Sequence, residues 1–178
     1  VHWPSDILGS WVLSAAIFTV NETVVFDNFN FKADKGDFIS IVGSNGSGKT
    51  TLLNLIAGTY LPDSGQILLG GNDITLKREF LRAKQIGRVF QSPQKGVASN
   101  MTIAENMSLA ENKGKLFDFT LGLSKKKTDY YKELLSPLNL GLEDKLDVKM
   151  GVLSGGQRQA VSLVMATMTP IDFLILDE

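Results

Sequence analysis

Eight consecutive residues, Gly43-Ser44-Asn45-Gly46-Ser47-Gly48-Lys49-Thr50, restrict the fold of this chain more than any other feature. They fit G-x-x-x-x-G-K-[ST], a loop that cradles phosphate with its backbone. The pattern has structural meaning only between a strand and a helix, and both flanks carry that signature. Phe38, Ile39, Ser40, Ile41 and Val42 form a short apolar run ending at glycine, which predicts a buried strand. Residues 50–57 predict a helix, with Leu52, Leu53, Leu55 and Ile56 apolar and Gly58 placed as its C-cap.

The 178 residues suffice for one domain with a core. A net charge of −1 offers no electrostatic basis for nucleic-acid binding, and no nucleic-acid partner is expected. With no cysteine there is neither a disulfide nor a Cys-ligated zinc. The single histidine, His2, cannot build a His-based triad or metal cluster. Residues 11–20 are apolar but too short to span a bilayer, lack a basic start, and read as an edge strand. Residues 1–12 read as a leader of unclear role.

Downstream, residues 26–31 alternate like a half-exposed strand, and Lys35, Gly36 and Asp37 make a turn. Turns at 62–65 and 70–73 bracket a strand at 66–69, and residues 86–90 form another strand ending at Gln91. From 92 to about 150 the pattern is mainly helical. Thr102 and Glu105 form a capping box, and residues 125–138 a helix with Tyr131, Leu134, Leu135 and Leu138 on one face. Lys125, Lys126 and Lys127 read as a solvated face rather than a lipid-binding patch. Ser154 caps a helix running to about Met168, with Ala160, Leu163, Val164 and Thr167 at helical spacing and Pro170 beyond its end. Residues 173–176 are an apolar strand.

Three motifs carry chemistry. In the first, Gly43, Gly46 and Gly48 let successive amides turn towards an anion, and the helix that follows adds the positive end of its dipole. Lys49 places an ammonium on the β- and γ-phosphates, while the Thr50 hydroxyl binds Mg²⁺. In the last, Asp177 holds Mg²⁺ through water and Glu178 acts as general base on the attacking water, both at the end of an apolar strand. Between them, Leu153-Ser154-Gly155-Gly156-Gln157 opens a helix with an N-cap and two glycines, a second anion site.

With that pentapeptide between the two phosphate-site motifs, the chain resembles the ATP-binding subunit of an ABC transporter over about residues 13–178. The resemblance implies an α/β P-loop NTPase fold of the ABC type: a parallel core sheet with flanking helices, an antiparallel β edge subdomain and a helical subdomain. The core would take residues 13–91 and 151–178, the helical subdomain about 92–150. It implies ATP and Mg²⁺ as cofactors. Ser44, Asn45, Ser47 and Thr51 join the three glycines, Lys49 and Thr50 around the nucleotide, and Gln91 reaches Mg²⁺ and the water. Ser154, Gly155, Gly156 and Gln157 would face the ATP of a second ATPase subunit in a head-to-tail dimer. Phe18 lies where the family stacks an aromatic ring on adenine, although Phe26, Phe29 and Phe31 are close in sequence and a core role is the alternative. Membrane permease subunits and a solute-binding protein are the implied partners, and the chain itself would sit peripherally at the cytoplasmic face of the cell membrane. Gly58-Thr59-Tyr60, Ile86-Gly87-Arg88-Val89-Phe90-Gln91, Asn100-Met101-Thr102-Ile103, the stretch from Leu153 to Ala160 and Met165-Ala166-Thr167 are similar to bacterial importers of amino acids such as tryptophan or tyrosine.

The resemblance also has gaps. The family continues past the residue matching Glu178 with a D-loop and a switch histidine, so the sequence reads as a fragment that binds ATP without turnover by itself. A non-transport ABC ATPase of DNA repair or chromosome organisation is the other reading. It is disfavoured by the compact insert between the motifs, which has no Cys and no sustained heptads.

Overall fold

The computed structural model describes residues 11–20, 23–113 and 124–177. They fall into two compact units, one up to Arg82 and one from Ala83.

The first unit is built on a four-stranded antiparallel sheet in the order β2-β1-β3-β4, from β1 (Trp11–Val20), β2 (Thr23–Ala33), β3 (Ser64–Leu69) and β4 (Asn72–Asp73). β1 is not at the edge, as its composition suggested: it pairs with β2 on one side and β3 on the other. Its core residues Leu13, Ala16 and Phe18 do not keep strict alternation. A register shift between Leu13 and Ala16 inserts the extra residue that turns both inward. A second shift lies between Ala16 and Phe18, where Asn28 on β2 takes a left-handed φ of 51°. Helix α1 (Lys49–Ala57) buries Leu52, Leu55, Ile56 and Ala57. Gly58, at φ 85°, ends it by donating its N–H to Asn54 O and Leu55 O.

The short helix α2 (Glu79–Arg82), not visible in the apolar pattern, delivers Arg82 into this unit at 1% exposure. Arg82 Nη1 donates to Leu55 O at 2.7 Å and Ile56 O at 2.8 Å, Nε to Lys77 O at 2.6 Å and Nη2 to Thr75 O at 2.9 Å. A cation thus closes the negative end of α1. Burial pulls its pKa down to about 10, with Asp73 opposing, so it stays charged at neutral pH.

The run at 38–42 departs from expectation. It forms no strand, and Phe38 and Val42 are 92% and 86% exposed. A strand needs a ladder neighbour. Among the described residues β1–β4 pair with one another and β5 with β6, which leaves this run without one.

The second unit holds a parallel pair, β5 (Ile86–Val89) and β6 (Phe173–Leu176), in register from Ile86 opposite Phe173 to Val89 opposite Leu176. Helix α5 (Gly155–Thr167) lies against β5. A side chain at Gly87 would come within 2.7 Å of Ala166 O, so that approach requires glycine. α3 (Ile103–Glu111), α4 (Lys125–Leu135) and α5 pack around Ile103, Met107, Tyr131, Leu135, Leu142 and Val161. α4 stops at Leu135 and continues to Leu138 as a 3-10 turn, where Pro137 denies the helix an amide. The capping box of Thr102 and Glu105 is present on α3. One helical core includes Leu153 and Val161, on the far side of the position 150 boundary drawn from sequence.

Candidate nucleotide site

Lys49 is the first residue of α1 and Gly48 its N-cap, and Gly48 offers no side chain to the helix start. The first-turn amides therefore have no capping side-chain oxygen, which suits them to an anion. Gly46 at φ 82° and Gly48 at φ 89° occupy backbone conformations that L side chains rarely adopt. A Cβ on Gly48 would also press on Phe26 and Val25 at 3.1 and 3.3 Å, and one on Gly43 would meet Ser47 Oγ at 2.7 Å. The cradle is shaped by what glycine leaves out. Lys49 Nζ folds back over it, donating to Gly43 O and Ser44 O at 2.7 Å each and to Ser47 Oγ at 3.4 Å. An ammonium held above an exposed loop by neutral carbonyls can be transferred to phosphate oxygens with a gain in charge-assisted bonding. Ser44, Asn45, Gly46, Ser47 and Thr50 are exposed and Thr51 half-buried.

Phe18 is buried, and its ring stacks on Tyr60 with centroids 5.4 Å apart and planes 16° apart. One ring face is already occupied by protein.

In the second unit, Gln91 and Asp177 follow the carboxyl ends of the parallel strands β5 and β6. Gln91 is exposed. The Asp177 N–H donates to Val89 O at 3.0 Å, tying the end of one strand to the other. Its carboxylate accepts from Arg88 Nη2 at 3.2 Å. A fixed carboxylate fits a role in holding a divalent cation. Glu178 lies outside the described residues.

The helix start at Ser154 carries a full capping box. Ser154 Oγ accepts from the Gln157 N–H, and Gln157 Oε1 accepts from the Ser154 N–H, both at 3.2 Å. Gly155 and Gly156 are exposed, with nothing near where a Cβ would stand, so their backbone is open to a ligand. Sequence reasoning missed Arg158. Its guanidinium donates to Met150 O at 3.1 Å and to Gly151 O and Leu153 O at 3.0 Å each, bracing the segment that leads into the motif. Its one visible signal is a charged residue one turn beyond an N-cap. The phosphate loop lies in the first unit, while Gln91, Ser154 and Asp177 lie in the second.

Residues 26–178 match the ABC transporter family. The chain belongs to it. A tyrosine transport ATP-binding protein of Clostridioides difficile (strain R20291) is 45% identical over 154 residues, covering 86% of this chain and 61% of the relative. An energy-coupling factor transporter ATP-binding protein, EcfA1, of Streptococcus sanguinis (strain SK36) is 32% identical, covering 89% and 54%. The chain thus spans between half and two thirds of the length of these relatives. A nucleotide-free ATP-binding cassette from an ABC transporter has a TM-score of 0.75 at 28% identity, covering 94% of this chain and 68% of that one. The ADP conformation of another such cassette has a TM-score of 0.74 at 26% identity, covering 94% and 80%. The fold is accordingly that of an ABC-type P-loop domain.

Proposed function

We propose that this chain is the nucleotide-binding part of an ABC transporter ATPase that binds Mg-ATP and hydrolyses it to drive solute across a membrane. The observation that carries this is the uncapped start of α1, with Gly46 and Gly48 in left-handed conformations and the Lys49 ammonium over the loop. On this reading the loop amides and Lys49 would bind the phosphates and the Thr50 hydroxyl would serve Mg²⁺ in the first unit, while Gln91 and Asp177 are proposed as the metal-directed groups of the second. The cation supplies charge neutralisation at the γ-phosphate. Glu178 takes a proton from the attacking water. Phe18 is proposed for the adenine, which requires one face of its buried ring to be uncovered.

The exposed amides at Gly155 and Gly156 support a head-to-tail partner whose ATP they would contact. Residues 92–150 are proposed as the permease-docking subdomain beside a nucleotide core, at the cytoplasmic face of the membrane. No helix among the described residues is long and apolar enough to cross it. The relative named for tyrosine transport supports amino-acid transport; import, with a solute-binding protein as a further partner, is part of the proposal. Cross-linking from single cysteines placed in 92–150, clean in a chain with none of its own, tests the docking. Links formed only through other regions would overturn it.

Titration of a fluorescent ATP analogue into the native protein and its Lys49→Ala variant tests the central reading. Loss of the charge-assisted contact is expected to weaken binding by about 1.5–3 kcal/mol. Equal affinity would remove Lys49 from the phosphates.

A further inference from the structure

Arg88 had no role in the sequence reading, yet it sits on the carboxylate assigned to the metal. It lies in β5, and Phe90 follows directly after the end of that strand. The guanidinium carbon lies 4.5 Å from the centroid of the Phe90 ring, and Nη2 donates to Asp177 Oδ2 at 3.2 Å. The two ionic side chains are 10% and 17% exposed, so water screens the pair far less than it would a surface pair. The Asp177 backbone is fixed to Val89 O, which keeps the carboxylate beside β5.

We propose that Arg88 is a positioning residue that competes with the divalent cation for Asp177. Without metal it holds the carboxylate in a defined place and neutralises it. Metal occupancy requires the guanidinium to release it, and the Phe90 ring supports the released cation. The inference rests on the reading of Asp177 as a metal-holding carboxylate. Its chemistry is charge competition: a positive group at one carboxylate oxygen lowers the affinity of that carboxylate for a second positive group.

The test uses Mn²⁺ as a paramagnetic probe, titrated into the native protein with a non-hydrolysable ATP analogue and followed by electron paramagnetic resonance. Arg88→Met is expected to bind Mn²⁺ about fivefold more tightly, the scale of one partly screened ion pair. Arg88→Lys, which keeps the charge, is expected to stay within about twofold of the wild type. Analogue binding in the presence of chelator is expected to be unchanged in both. Arg88→Gln replaces Arg88→Met if thermal melting shows the latter unfolded. Unchanged or weaker Mn²⁺ binding in a folded, uncharged variant overturns the competition. Asp177→Asn separates the two ideas. If it leaves Mn²⁺ affinity unchanged, the metal role of Asp177 fails; if it weakens binding while Arg88→Met is silent, only the competition fails.

Discussion

Single side chains in this protein act mainly through backbone carbonyls. Lys49 and Arg158 are long cations whose hydrogen bonds are largely to peptide oxygens, and both stand at or just after a helix start. The difference is exposure and purpose. Lys49 rests on loop carbonyls that a phosphate can replace, whereas Arg158 holds together the segment that aims a motif. Asp177 is a fixed carboxylate, and Glu178 is the residue proposed as the base. Glu178→Gln is expected to retain ATP-analogue binding and to lower steady-state phosphate release by about a hundredfold or more, because an amide is a far poorer proton acceptor. Phosphate release at the wild-type rate would take Glu178 out of the mechanism.

At the scale of elements, helix ends carry the specificity. α1 is left open at its start and sealed at its finish by Arg82 and Gly58, so its dipole is satisfied at one end and available at the other. Arg82→Met would strip four carbonyls of their donor inside the unit. The expected cost is about 2–4 kcal/mol in denaturant unfolding, with weaker ATP binding in the same variant. A loss below about 0.5 kcal/mol would mean that water or another group closes α1. In the second unit Tyr131 is fully buried and donates its hydroxyl to Glu111 Oε2 at 2.7 Å, and Lys127 Nζ meets the same oxygen at 3.0 Å. This links α3 to α4. Burial, then the hydrogen bond to Glu111, push the Tyr131 pKa well above the ordinary tyrosine value, so it stays protonated across the physiological range. Tyr131→Phe is expected to cost about 0.5–1.5 kcal/mol, read as a lower thermal midpoint. An unchanged midpoint would show that the link adds nothing.

At the scale of the molecule, the notable feature among the described residues is exposed apolar surface. Phe38, Ile39, Ile41 and Val42 are all exposed in the run that leads into the phosphate loop. Contiguous exposed apolar residues with strand character promote self-association. Phe38→Lys in these 178 residues is expected to reduce concentration-dependent light scattering while moving the unfolding free energy by no more than about 0.5 kcal/mol. A large drop in stability would show that Phe38 is buried in solution.

Much of this protein was legible in local pattern. The spacing of glycines, Lys49 and Thr50 located the glycine-rich loop and the helix after it. The capping pairs at Thr102 and Ser154 marked two helix starts, because a cap is written within four residues. Apolar period located β2, β3, β5, β6 and the buried face of α4. What required the tertiary structure depends on residues distant in sequence. The pairing of β1 on both sides, the unpaired state of 38–42, Arg82 closing α1 from 26 and 27 residues away, and Arg88 reaching Asp177 across 89 residues are all of this kind. A sequence states which segments can be strands and which side chains can donate. Which carbonyl or carboxylate they meet is decided only when the ladders and helices bring those groups together in space.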